Sequence, residues 1–279
     1  MSLKLMYITN RVEVAQIAEE SGVDIIFVDM EYIGKAKRQG GMDTVQSHHT
    51  LEDIKTIANA VHHAEVLVRI NPIHEATDEY ISSREEIETA VKNNADIVML
   101  PYFKTIREVK DFLDFVNGKA QTMLLLETPE AVAILDDILK LDGIDIIHIG
   151  LNDLSLGYKR KFMFELLTDG IVEELSLKCR HAKVAFGIGG IAALGKGTVP
   201  AEMVIRELYR LGAQYTILSR SFCNTAQIVD LNEIRSIFVH GIQEIRALET
   251  ECQQCMEYFW RNRSELEFAV RQFTEQCAR

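Results

Sequence analysis

Residues 123–157 read MLLLETPEAVAILDDILKLDGIDIIHIGLNDLSLG, and their pattern decides how the chain is organised. An apolar run of strand length, Met123 to Leu126, is followed at once by Glu127. A helical stretch intervenes. A second apolar run, Ile146 to Gly150, leads to Asp153. Strand, helix and strand in that order make a parallel pair, which needs such a crossover. If the two strands are neighbours, both acids sit at the same end of one sheet. Two carboxylates there, with open positions left over, suit a hard cation such as Mg²⁺ or Mn²⁺ better than zinc. An acid after a strand can also cap the helix that follows, and Asp153 taken alone reads equally as such a cap.

The rest of the chain repeats the unit. Apolar runs of strand length occupy residues 3–9, 24–29, 65–71, 96–101, 121–127, 144–150, 184–190 and 214–219. Helical periodicity fills residues 12–21, 51–62, 77–94, 105–116, 129–141, 162–181 and 200–211. Near-continuous apolar strands imply burial on both faces, as in a parallel sheet wrapped by helices. Eight such units predict closure into an α/β (β/α)8 TIM barrel, with function at the C-terminal ends of the strands. The expected catalytic domain is residues 1–226. Residues 227–279 show helical spacing only (Ile234, Phe238, Ile242, Ile245, then Leu266, Phe273) and form a C-terminal helical extension.

Composition narrows the classes. The chain has 279 residues, 47% of them hydrophobic, and a formal net charge of −12. A nucleic-acid partner is not expected, because no basic stripe is present to meet phosphates. The five cysteines are scattered and odd in number, which reads as reduced thiols of a cytoplasmic protein. Cys252 and Cys255 form a C-x-x-C inside a helical segment without a second pair, a poor metal or redox site. No apolar run reaches the length of a membrane span.

The paired motifs ETPEA (127–131) and IGLNDLS (149–155) resemble those of the HpcH/HpaI aldolase and citrate lyase β-subunit group. The likeness spans roughly residues 10–220. It implies that Glu127 and Asp153 bind the divalent metal, and that Gly150, Leu151 and Asn152 touch the substrate. The group has an acid followed by Glu-His after its second strand. Here the segment is Asp29-Met30-Glu31-Tyr32, so Tyr32 replaces an imidazole usually assigned to proton transfer. Tyrosine is no equivalent of histidine near neutral pH. His48 and His49, in the long polar loop that follows, are candidates to supply the missing ring. Lys35, Lys37 and Arg38 in that loop are candidates for a second anionic group of the substrate, or are simply solvated.

Arg69, ending the strand LVRIN (67–71), matches the group's arginine that contacts the keto acid. A guanidinium there needs an anionic or carbonyl partner. Lys104, after the fourth strand, is a weaker candidate for substrate contact. The glycines of GIGGIAALGKG (187–197) either let backbone N–H groups approach an anion or allow close packing.

The resemblance therefore implies a metal-dependent aldolase or carbon–carbon lyase. Its partners are a small 2-oxo acid and an aldehyde or other carbonyl compound. It also implies a homo-oligomer in which the last helix contacts another subunit. A citrate-synthase-like or acyl-CoA lyase of the same fold, and a barrel that binds a ligand without turnover, are the alternatives. A Schiff-base lysine on a barrel strand is not expected, since none of the eight runs carries one inside the barrel.

Overall fold

The computed structural model describes residues 2–35, 47–254 and 258–276. Its strands are β1 (Lys4–Ile8), β2 (Ile25–Asp29), β3 (Glu65–Arg69), β4 (Ile97–Leu100), β5 (Gln121–Leu126), β6 (Ile146–Ile149), β7 (Ala185–Ile191) and β8 (Tyr215–Leu218). Each is parallel to its sequence neighbours, and β8 closes on β1. The expected TIM barrel is therefore the fold.

The helices on the barrel's outside begin with α1 (Val12–Glu20), α2 (Leu51–Ala60), α3 (Ser83–Lys92) and α4 (Ile106–Val116). Three of these start on capping boxes, Thr50 with Asp53, Ser82 with Glu85, and Thr105 with Glu108. In each, the hydroxyl accepts from the N3 amide while the N3 acid accepts from the cap's own amide, satisfying two otherwise orphaned donors. The second explains why α3 starts later than periodicity suggested: Ser82 caps it and stops the helix from extending back towards Thr77.

Next come α5 (Pro129–Ala133) and α6 (Leu135–Ile138), then α7 (Leu151–Gly157), α8 (Glu165–Thr168), α9 (Ile171–Ala182) and α10 (Ala201–Leu211). Two stretches expected as single helices are thus broken. The second break falls at Gly170, whose φ of +92° is open to glycine and not to the residues of a continuous helix.

Inward-facing residues alternate along each strand. Met6, Ile25, Phe27, Leu67, Met99, Met123, Leu125 and Ile146 fill the barrel, while the opposite faces pack under the helices. The period of two then fixes what stands one step higher. Phe27 is followed inward by Asp29, Leu67 by Arg69, Leu125 by Glu127, and His148 by Gly150.

The tail forms α11 (Leu231–Gln254) and α12 (Tyr258–Gln276). Helix α11 lies along α1 and α10, and α12 along α10 and α8. Phe238 of α11 meets the Tyr7 ring edge-on at 4.8 Å. Arg263 of α12 donates to buried Glu207 of α10 at 2.6 Å. The apolar faces of both helices are covered by their own barrel, and Trp260 and Phe268 remain exposed on α12. Among the described residues no helix is long and apolar enough to cross a membrane.

Candidate active site

The layer above the barrel core holds the chemistry. Asp29 and Arg69 are direct partners in the β2–β3 register, and their side chains meet as a fork. Arg69 Nε donates to Asp29 Oδ1 at 2.8 Å and Nη2 to Oδ2 at 2.7 Å. The guanidinium sits 5.4 Å above the Phe27 ring. Lys35 Nζ donates to Asp29 Oδ2 at 2.9 Å and lies 3.5 Å from Glu31 Oε2. Arg69 Nη1 is also 3.5 Å from Glu31. Burial alone would push the Asp29 carboxyl up, but Arg69, and after it Lys35, hold it well below the usual carboxylate range. Burial likewise opposes charge on Arg69, and Asp29 and Glu31 overcome it. Bidentate, desolvated pairs of this kind are strong and geometrically fixed.

Glu127 has no such compensation. It is 4% exposed, and burial, then Glu31, then Asp153 push its pKa well above the ordinary value; Arg69 and the Tyr102 amide only partly oppose this. Its Oε1 accepts the Tyr102 N–H at 2.9 Å, and Tyr102 adopts a left-handed φ of +49°, uncommon for an aromatic residue. Gly150 makes the space: a Cβ there would stand 2.9 Å from Glu127 Cβ and 3.2 Å from its Oε2. Asp153 lies in the first turn of α7, past the strand end rather than on it. Glu127 and Asp153 line one cavity of about 480 Å³ with Tyr102 and Lys104.

The residues present fit a divalent cation. Among the described residues no three His, Cys, Asp or Glu side chains converge as a fully protein-ligated metal needs. What stands here is two hard oxygen donors at a charge-frustrated position, the pattern of a cation that keeps sites for water and substrate. The raised Glu127 pKa is the electrostatic sign that a positive charge is wanted at this spot.

The turn after β2 is braced from β3. Tyr32 and Ile33 donate their amides to Asn71 Oδ1 at 2.9 and 3.0 Å, and Asn71 Nδ2 donates to Glu86 at 2.8 Å. The Tyr32 hydroxyl donates to the His49 carbonyl. Burial, and then Asp29, raise the Tyr32 pKa, so it keeps its proton at neutral pH. Of the two loop histidines, His48 is exposed, with its ring 6.2 Å from that of Tyr32. His49 is the buried one. Its Nδ1 accepts the Asp29 N–H at 2.9 Å, which leaves the proton on Nε2. Burial lowers its pKa against the pull of Asp29, so the ring is neutral.

A second cavity of about 500 Å³ adjoins this layer, lined by Asp29, Lys35, His49, Arg69 and Asn152 together with the loops after β1 and β8. A roomier one, about 690 Å³, lies at the far end of the barrel around Asn117, Gln121 and Asp145, at the starts of the strands, away from every group above.

Most expected site residues are thus gathered at one mouth: Arg69, Tyr32, Lys35, Asn152, Glu127 and Asp153, with Gly150 and Leu151 as packing. Lys35 is buried and paired rather than turned to a ligand. Arg38 and Lys37 lie outside the described residues. Of the glycines in this segment, Gly189 within β7 serves packing, since a Cβ there would strike Leu151 at 2.7 Å, and the Gly195 amide after the strand already donates to Glu202. Sequence reasoning missed His148, buried in the barrel beneath this layer, although the period of two along β6 marks it as inward-facing.

The family model described as HpcH/HpaI aldolase/citrate lyase matches residues 5–192. The chain belongs to that family. It is a family of aldolases and lyases. Solved structures agree in fold. An HpcH/HpaI aldolase from Desulfitobacterium hafniense is 17% identical, with 88% of this chain and 93% of that one covered and a TM-score of 0.59. An HpcH/HpaI aldolase/citrate lyase family protein from Burkholderia cenocepacia is 15% identical, with 84% and 95% covered and a TM-score of 0.57. The citrate synthase SbnG is 15% identical, with 78% and 86% covered and a TM-score of 0.53. Nothing matches among curated protein sequences.

Proposed function

We propose that this HpcH/HpaI family member is a divalent-metal-dependent aldolase or carbon–carbon lyase that makes or breaks a bond to the enolate of a pyruvate-like 2-oxo acid. The observation that carries the reading is Glu127: a buried carboxylate that lines one cavity with Asp153, its pKa pushed up by burial and then by the charges of Glu31 and Asp153. Glu127 and Asp153 would hold Mg²⁺ or Mn²⁺, whose Lewis acidity stabilises negative charge on the oxo acid's oxygen.

The chain's own groups do the rest. Arg69, fixed by the Asp29 fork, presents a permanent positive charge to the oxo acid. Because Asp29 sets its plane before substrate arrives, no reorganisation is needed as charge develops. Asn152, on the first turn of α7, stands where the substrate crosses between the two cavities. Tyr32 orients the His49 segment and is not the base. His49, neutral, donates from Nε2 to the carbonyl oxygen of the second reactant and polarises it without surrendering the proton, as a neutral imidazole can. Lys35 is buried with its Nζ held by Asp29 at 2.9 Å and 3.5 Å from Glu31, so it is engaged in ion pairs and not presented as a Schiff-base nucleophile. On the same reading the tail's exposed Trp260 and Phe268 take part in self-association.

The test is deuterium exchange at the methyl group of pyruvate. It should require Mg²⁺ or Mn²⁺, stop with EDTA, and fall at least a hundredfold in Glu127→Gln. Exchange that persists in that variant, or a lysine adduct trapped by borohydride, would sink the reading. A panel with oxaloacetate and CoA thioesters then separates aldol from thioester chemistry.

A further inference from the structure

We propose that His148 is a positioning residue for the cation site: from inside the barrel it fixes a β-bulge in β7, the bulge seats the first turn of α7, and that turn carries Asn152 and Asp153. The proposal rests on the metal-dependent reading and adds to it the group that sets the spacing of the two carboxylates.

The bulge lies in the register of β7 against β8. Gly187 pairs with Tyr215 and Gly190 with Ile217, so Ile188 and Gly189 together face the single residue Thr216. Two residues opposite one bend a strand and disrupt its ladder locally, and such bulges re-aim neighbouring side chains. Side chains from both flanking strands meet the bulge's carbonyls. Thr216 of β8, fully buried, donates from Oγ1 to the Ile188 carbonyl at 3.1 Å. His148 of β6 places Nε2 3.2 Å from the Gly189 carbonyl. Gly189 itself holds a φ of +44°, which glycine adopts without steric penalty.

His148 is not needed to fill space. An apolar ring would do that, as Phe27 does on β2. Its Nδ1 has no hydrogen-bond partner, which is costly in a low-dielectric interior. Burial lowers its pKa to about 4, so the ring is neutral, and the carbonyl partner puts the one proton on Nε2. The bulge receives the only N–H the ring has to give.

Helix α7 is placed by packing. Gly150 stands at its N-cap with no side-chain hydrogen bond, where α2, α3 and α4 have capping boxes. At its start Leu151, 3% exposed, closes over Gly189, where a Cβ would stand 2.7 Å from Leu151 Cδ1. At its end Gly157 lies against Pro129, where a Cβ would stand 2.5 Å from the proline Cδ. Pro129 follows Glu127 by two residues. The helix is thus pinned to the Glu127 segment at one end and to the bulge at the other. A shift of the bulge moves Leu151, and with it Asp153 relative to Glu127.

The experiment compares wild type with His148→Phe, which keeps a ring without the N–H, and His148→Gln, whose side-chain amide reaches as far as Nε2. Binding of Mn²⁺ alone is read from the loss of its free-ion electron paramagnetic resonance signal. His148→Phe should weaken it at least tenfold, and His148→Gln should return to within threefold of wild type. Hydrogen exchange of the metal-free proteins at pH 7 is the second readout. Amides of α7 should exchange at least tenfold faster in His148→Phe, with those of β2 and β3 unchanged, and should recover in His148→Gln. Either readout unchanged in His148→Phe, equal losses in the two variants, or faster exchange spread over all the strands overturns the proposal. A wild type that binds no Mn²⁺ would instead sink the metal reading and leave the exchange of α7 to judge His148.

Discussion

Arg69 shows what one strand register can specify. Its partner Asp29 stands directly across from it on β2, and Lys35 closes on the same carboxylate. Removing that carboxylate's charge leaves two buried cations with Glu31, and for Arg69 also the more distant Glu127, to answer them. Breaking such a buried pair costs about 3–5 kcal/mol, so Asp29→Asn should lose stability of that order in urea unfolding, with pyruvate exchange reduced as well. The pH dependence follows from the sign of the shift. A carboxylate held below its unfolded value of about 3.9 contributes stability that is complete above that value and lost as pH falls below it. Wild type should show this acid limb and Asp29→Asn should not. His148 behaves in a related way. It is fully buried in β6, with Nε2 3.2 Å from the Gly189 carbonyl and Nδ1 unpartnered, and burial lowers its pKa to about 4. The unfolded ring takes its proton near pH 6.5 and the folded one only near 4. Stability is therefore complete above about 6.5 and declines as pH falls through that window. Replacing His148 with Phe should flatten the decline between pH 6.5 and 4 in thermal melts, and a decline of unchanged slope would place the acid sensitivity elsewhere.

Elements differ in how plainly the chain announces them. The strands were legible because each is an apolar run closed by a glycine, a polar residue or a proline, and burial on both faces allows nothing else. The helix α7 was not, since a glycine and an asparagine open it and only seven residues follow; its Asp153 read as a strand-end acid. The break at Gly170 needed a backbone angle that apolar spacing does not report. The tail's partner was equally hidden. Periodicity gives an apolar face and not the surface that covers it, and here the cover is α1, α8 and α10 of the same chain. One ion cluster carries much of that docking. Glu207, fully buried on α10, accepts two hydrogen bonds from Arg210 at 2.9 Å and one from Arg263 of α12 at 2.6 Å. With Glu207→Gln both guanidinium groups lose their shared anion. The expected cost is on the order of 3 kcal/mol. Hydrogen exchange should show α12 opening well before the barrel strands. Uniform acceleration across the whole chain would mean that the cluster stabilises the barrel itself and not the tail's attachment.

At the scale of the whole molecule, the closed barrel turns local pattern into a site. Period-two alternation puts Asp29 and Arg69 of the paired strands β2 and β3, and Glu127 just past β5, on one layer, a convergence that motifs suggest and the barrel delivers. Glu127 and Asp153 could be picked out in the sequence because their motifs are short and local. The pairing of Lys35 and the burial of His49 rather than His48 depend on contacts between segments that linear spacing does not encode. The same convergence concentrates negative charge at one point of a chain that is acidic overall, and this makes global stability sensitive to cations. A ligand that binds only the folded state stabilises it by about 2.7 kcal/mol at a hundredfold excess over its Kd. For a domain of this size each kcal/mol moves the melting midpoint by about 2–4 °C, so Mg²⁺ or Mn²⁺ should raise it by roughly 5–10 °C in total. In Glu127→Gln the rise should vanish. The metal-free variant should melt no lower than metal-free wild type at pH 7, because the neutral amide relieves repulsion with Glu31 and Asp153. A wild-type midpoint indifferent to both ions, or a rise retained in the variant, would place any cation site away from the β5 and β6 ends.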